Sequence, residues 1–174
     1  MKTFITFLLV SILYSVTHTQ PNHELDVLRL GYGIAEEQSG LNIAVEARSF
    51  VFNNFSIGAE LHSQRLNYGK EWADVGSANT IAGLFNVDFY SSKTNKYRSF
   101  VGIGLGALYY HEDLVDISFS STVSDINIVS MGISPRVGHA FNKLRLTLNL
   151  NLIPHSQIPS YWNLSAAYTL RPGS

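Results

Sequence analysis

In the stretch PHSQ, residues 154–157, His155 and Ser156 stand side by side, the two residue types that supply a general base and a nucleophile. A working serine needs the base within hydrogen-bond reach and a third group to orient the ring. Sequence neighbours in an extended segment point to opposite sides, and no acidic residue follows as far as Ser174, so a loop role is the stronger expectation for this pair. Glu60 and His62 share one face of an alternating segment, but two ligands fall short of the three or four a metal needs, and a satisfied polar contact is expected instead. His111, Glu112, Asp113 and Asp116, in HEDLVD, lack the spacing of a calcium loop and read as a solvated acidic loop. The absence of cysteine removes disulfides and thiolate metal sites. No catalysis, cofactor or metal is expected.

The remaining charge forms a pattern. Arg29, Arg48, Arg136 and Arg145 fall on the polar parity of alternating segments, with Glu46, Glu60 and Asp88, whereas Lys70, Lys93, Lys96 and Lys143 fall in turns and loops. The elements that would position them are strands, because the apolar period is two throughout. In FVGIGLGALYY, Val101, Ile103, Leu105, Ala107 and Tyr109 share one parity and Gly102, Gly104 and Gly106 the other. Eight such segments follow one another, at about residues 25–36, 41–51, 55–66, 79–90, 100–110, 125–140, 144–152 and 161–170. In the sixth, Ile126 and Ile128 are out of phase with Val129, Met131 and Ile133, so a bulge near Ser130 is expected, and Pro135 removes a ladder hydrogen bond. Connections alternate between tight turns, at residues 52–54, 91–96 and 141–143, and longer loops, notably Tyr68 to Val75 and His111 to Asp125; only EQSG is short in the second set.

Which parity faces solvent decides the class. An enclosed polar lumen favours arginine, whose planar fork pairs with carboxylates at several points. Glycine is concentrated on the same parity, at Gly31, Gly33, Gly58, Gly102, Gly104, Gly106, Gly132 and Gly138, as a narrow barrel interior requires. Phe50, Phe52, Phe55, Phe89, Tyr90, Tyr97, Tyr109, Tyr110, Tyr161 and Trp162 lie near strand ends and are expected to form interfacial belts. Charged residues are only 14% of the chain, against roughly a quarter in soluble domains. The formal net charge of −1 gives no ground for a nucleic-acid partner. The expected fold is therefore all-β: an eight-stranded antiparallel up-and-down transmembrane β-barrel. Its lumen polar network would comprise Arg29, Glu46, Arg48, Glu60, His62, Asp88, Arg136 and Arg145, leaving no useful pore.

The glycine alternation VGIGLGALYY, the run GISPRVGHAFNKLRLTLNLNL and the terminal NLSAAYTL together resemble the small eight-stranded outer-membrane barrels of the OmpA/OmpX-like kind. Asn163, Tyr168 and Leu170 match the assembly signal usual in that class, while Ser165 stands where glycine is common and RPGS follows. The resemblance implies a bacterial outer-membrane location, contact with outer-membrane lipid and lipopolysaccharide, and a structural or surface-interaction role, with an extracellular protein or surface ligand met through the loops. A monomer is expected. Arg65, on the apolar parity at the end of the third segment, is expected near the outer lipid headgroups, where it contacts lipopolysaccharide phosphate or snorkels. At the N-terminus, Lys2 and an apolar run from Phe4 to Val16 read as a cleaved signal peptide over residues 1–19, with the barrel domain over residues 20–174. Two other readings share the alternation or the PHSQ motif: a soluble exported lipocalin-like barrel with the apolar parity turned inward around an apolar ligand, and an outer-membrane enzyme resembling the lipid A deacylases, which place a His and a Ser on a late strand.

Overall fold

The computed structural model describes residues 23–35, 38–52, 54–69, 74–91, 97–116 and 121–170. The expected signal segment, with Lys70, Lys93, Lys96 and the C-terminal RPGS, lies outside the described residues. The strands are β1 (His23–Ile34), β2 (Gln38–Phe52), β3 (Phe55–Gly69), β4 (Asp74–Tyr90), β5 (Tyr97–Asp116), β6 (Ser121–Phe141), β7 (Leu144–Asn151) and β8 (Tyr161–Leu170). Each pairs antiparallel with its sequence neighbours, and β1 pairs with β8, closing the barrel. Closure satisfies the backbone within the barrel wall, the condition for spanning lipid with strands.

The apolar parity faces outward. Leu30, Ile43, Phe85, Leu105 and Leu164 are each at least half exposed, while Arg29, Asn42, Asn86 and Ser165, one position away, are buried. This is the reverse of a soluble ligand-holding barrel. An apolar surface encircling the molecule is far larger than the few hundred Å² that soluble monomers expose.

Local irregularities set which charges enter the lumen. Val27 is an extra residue in β1, where the register to β2 shifts between Asp26 and Arg29 and the register to β8 between Asp26 and Leu28. Val27 and Leu28 consequently both face outward, and Asp26 and Arg29, three apart, both face inward. No bulge occurs at Ser130: β6 stays in register with β5 from Tyr97↔Phe141 to Leu114↔Ser124, and the shift comes only beyond Leu114. The phase change around Ile128 is instead a change of what is buried, since Ile128 packs inside the barrel against an apolar cluster. Pro135 has its expected effect, because the β6–β7 ladder runs from Phe141↔Leu144 to Arg136↔Asn149 and resumes only at the Ile133↔Leu152 bridge.

The β6–β7 hairpin turns tightly, with Phe141 paired to Leu144. Asn142 takes a φ of 53° in the turn between β6 and β7, a left-handed conformation that asparagine tolerates better than most residues. At the other end the strands run further than the sequence pattern implied. The ladder continues through Tyr68↔Gly76 and Gly69↔Val75, and through Asp113↔Asp125, so most of both expected long loops is strand. HEDLVD is likewise the end of β5 rather than a loop. Thr122, Val123 and Val115 are β-prone and carry the hairpin on.

Candidate functional site

The lumen is layered, and the middle layer is an ion-pair network. Glu46, fully buried on β2, accepts from Arg136 Nη2 at 2.6 Å, Arg145 Nη1 at 3.1 Å and Arg29 Nη1 at 3.2 Å, with Arg48 Nη1 at 3.6 Å. Asp88 on β4 takes the fork of Arg136, Nε at 2.7 Å and Nη2 at 2.6 Å, together with Arg145 Nη2 at 2.9 Å. Glu60 on β3 bridges Arg29, Arg136 Nη1 at 3.2 Å, Asn86 Nδ2 at 3.0 Å and His62 Nδ1 at 3.1 Å. All eight residues expected in the lumen network are thus inside, and the structure brings them together.

Three more charges belong to it. Asp26 receives both Arg48 Nη atoms, at 3.0 and 2.5 Å, and the Thr169 hydroxyl at 2.5 Å. Glu24 accepts from Arg48 Nε at 3.0 Å and also pairs with Arg98. With these, five arginines face five carboxylates, and each guanidinium has an anion within reach. Sequence reading missed Glu24 and Asp26 because the Val27 bulge reverses their parity. Arg98 was open to detection, since it shares parity with Gly102, but it precedes the segment as delimited from its glycines.

The glycines make the space. A Cβ at Gly102 would run into the Asp88 carboxylate that holds Arg136, and one at Gly138 into the Phe100 ring. Such contacts explain a bare position next to a crowded one.

Aromatic and apolar residues close both ends. At the tight-turn end Phe50, Tyr90 and Phe100 form a buried cluster, with ring centroids 5.2 and 5.3 Å apart. Arg98 lies over Phe50 and Tyr90, and Arg145 over Phe100 at 4.0 Å, so this plug joins the ion network through cation–π contacts. At the opposite end Leu66, Leu108, Tyr110, Ile153, Ile158 and Tyr161 pack with several alanines. Tyr161 Oη lies 3.3 Å from His62 Nε2, linking this apolar plug to Glu60. A cavity of about 10 Å³ between them has room for one water. The expected aromatic belts are therefore half right. Phe52, Phe89, Tyr97, Tyr109 and Trp162 are exposed on the outer wall, but Phe50, Tyr90, Tyr110 and Tyr161 share the inward parity and serve as plugs.

The other sequence candidates separate. His155 Nδ1 accepts the backbone N–H of Gln157 at 3.3 Å, in the connection whose Ile153 and Ile158 are buried. His111, partly exposed, contacts Asn127 Oδ1 through Nδ1 at 3.0 Å, while Glu112 turns inward to the Tyr110 hydroxyl at 2.8 Å. Among the described residues no group of three or more His, Asp or Glu side chains is arranged to hold a metal ion. Arg65 is exposed on the outer wall, directly opposite Asn79.

No family model matches the sequence, and no curated protein does. Solved structures do. The crystal structure of Ail, the attachment invasion locus protein of Yersinia pestis, superposes with a TM-score of 0.56 at 12% identity, covering 87% of this chain and all of Ail. Ail in complex with the heparin analogue sucrose octasulfate gives 0.53 at 11% identity, over 86% and 97% of the two chains. Neisserial surface protein A gives 0.54 at 10% identity, over 87% and 97%. Identities this low speak to architecture alone: this chain has the fold of the small eight-stranded outer-membrane β-barrels of the OmpA/OmpX-like type.

Proposed function

We propose that the chain is an integral bacterial outer-membrane barrel, monomeric and non-catalytic, whose lumen is closed by its own side chains and whose role is structural or surface-interactive. The observation that carries this is the division of its wall: an apolar exterior on every strand around an interior of matched charges. Lipid is the solvent in which that division is stable, because outward leucines then cost nothing and the charges are satisfied internally. The two plugs and the ion pairs between them support a non-conducting lumen. His155 Nδ1 is taken by the backbone N–H of Gln157 within the β7–β8 connection, which supports a role without acyl-enzyme chemistry rather than deacylation. Surface interaction falls to the long-loop end, where the β3–β4 and β5–β6 hairpins extend furthest. An anionic surface ligand, the class represented by sucrose octasulfate on Ail, is one candidate there; lipopolysaccharide at the rim, met by Arg65, is the other.

Carbonate washing of membranes from expressing cells, followed by gel migration with and without boiling, tests the reading. The protein is expected to stay in the pellet and to run as a compact band before boiling and a slower one after. Release into the aqueous extract would refute it.

A further inference from the structure

The barrel wall is not equally complete on the two sides of β6. On its β5 side the ladder continues outward to Asp116↔Ser121, whereas on its β7 side pairing ends at Arg136↔Asn149 and closes with the Ile133↔Leu152 bridge. Beyond Leu152 the chain turns inward and buries Ile153 and Ile158 in the lumen. Ile133 and Leu152 exchange backbone bonds at 2.9 and 2.8 Å, so the N–H and C=O of Ile133 point away from β5. In a strand the same direction recurs two and four residues along, at Met131 and Val129. Among the described residues nothing meets the N–H of Met131 or either backbone group of Val129, and the Met131 C=O accepts only the Ser130 hydroxyl, at 3.2 Å. Val129, at 75%, is the most exposed large apolar side chain among the described residues, as a position with no neighbour on one flank would be.

A bare strand edge is a template for another strand, and proteins that avoid such pairing guard the edge with lysine, proline or a bulge. β6 has no guard over this stretch: residues 121–134 contain no Lys and no Pro, and the register to β5 shifts only beyond Leu114↔Ser124. The edge also leads out of the apolar wall, since Val129 stands opposite Tyr109 and the next outward pair is Asn127 opposite His111. A second copy in the same membrane does not fit it. Barrel strands tilt by about 40°, so the β6 strands of two side-by-side barrels cross at roughly twice that angle and cannot lie along one another. Charge narrows the occupant further: residues 111–135 hold Glu112, Asp113, Asp116 and Asp125 and no Lys or Arg, which favours a cationic strand.

Resting on the outer-membrane reading for which end faces outward, we infer that the unpaired edge of β6 at Met131 and Val129 is a strand-addition site, which takes an extended, cationic segment of another polypeptide. Main-chain bonds to Met131 and Val129 hold the added strand. Val129 and Met131 on the outer parity, with Ile128 on the inner one, favour β-branched residues across from them. Basic residues toward the outer end of the segment complement the acidic hairpin.

Amide hydrogen exchange by NMR on the full barrel folded in detergent micelles tests this, with the end-capped peptide KVTVTVK as probe and EVTVTVE as its acidic counterpart. In the free barrel the amides of Val129 and Met131 are expected to exchange rapidly, and those of Ser130 and Gly132, aimed at β5, slowly. Added KVTVTVK is expected to protect Val129 and Met131. Val129→Pro removes an N–H that the β5 ladder does not use, a change that strand edges tolerate, and is expected to weaken peptide binding about tenfold. Heat-modifiable migration of the variant shows separately that the barrel has formed, so loss of binding is distinguished from failure of the membrane reading. Slow exchange at Val129 and Met131 in the free barrel, no protection by either peptide, or unchanged affinity in Val129→Pro would overturn the inference. Equal binding of EVTVTVE would overturn the cationic assignment. Protection that rises with barrel concentration in the absence of peptide would overturn the foreign strand in favour of a second copy.

Discussion

Glu46 and Glu60 lie directly opposite each other in the β2–β3 register, both buried, and Arg136 reaches from β6 to hold one with each side of its guanidinium. Like charges directly opposite on a sheet repel. The pair is tolerable because Arg136, Arg29 and Arg145 bring their charge to the same point from three other strands. With Arg98 from β5, the network thus ties β1 through β7 across the lumen, a linkage that the ladder alone does not provide.

Removal of Arg136 is expected to be severe. Arg136→Met leaves Glu46, Glu60 and Asp88 short of a cation in an enclosed space, and loss of one partner from a buried ion pair costs about 3–5 kcal/mol. Urea unfolding of the barrel in detergent micelles, followed through tryptophan fluorescence, reads this directly. A loss below about 1 kcal/mol would mean that water already screens the lumen.

Glycine positions are expected to split by side of the wall. Gly102→Ala drives a methyl into Asp88 and backbone, which at overpacked sites costs about 1–3 kcal/mol. Gly83→Ala meets nothing within 4 Å on the outer wall and is expected to change stability by less than about 0.5 kcal/mol. Equal effects in the same urea assay would contradict the assignment of inside and outside.

The PHSQ connection is expected to be chemically silent. His155→Ala and Ser156→Ala should leave the lipid A acylation pattern of expressing cells identical to wild type by mass spectrometry. A deacylated species present with wild type and missing with either variant would establish an enzyme.

Much of this arrangement is legible from parity. Arg29, Glu46, Arg48, Glu60, His62, Asp88, Arg136 and Arg145 all lie where the alternation assigns them, because a period of two leaves a side chain only two destinations. The failures occur where a local event resets the count or where residue type was read in place of parity. Val27 resets the count in β1 and hides Glu24 and Asp26. Phe50, Tyr90, Tyr110 and Tyr161 are amphipathic or apolar enough for a membrane interface, yet their parity sends them inward, where they seal the polar layer from both ends. The length of β5 and β6 beyond the apolar wall was not readable from hydrophobic alternation, since HEDLVD sets Leu114 and Val115 on opposite parities among polar residues and carries no period of two.

The central claim is that hydrocarbon touches the parity of Ile103 and Leu148. The chain has no cysteine, so a single nitroxide can be placed through Ile103→Cys, with Thr147→Cys as the inward control, in the barrel reconstituted into bilayers. The label at residue 103 is expected to relax strongly with oxygen and weakly with a polar nickel chelate, and the label at residue 147 to be shielded from both. A label at residue 103 shielded from oxygen, with the protein remaining in the aqueous phase, would contradict the account.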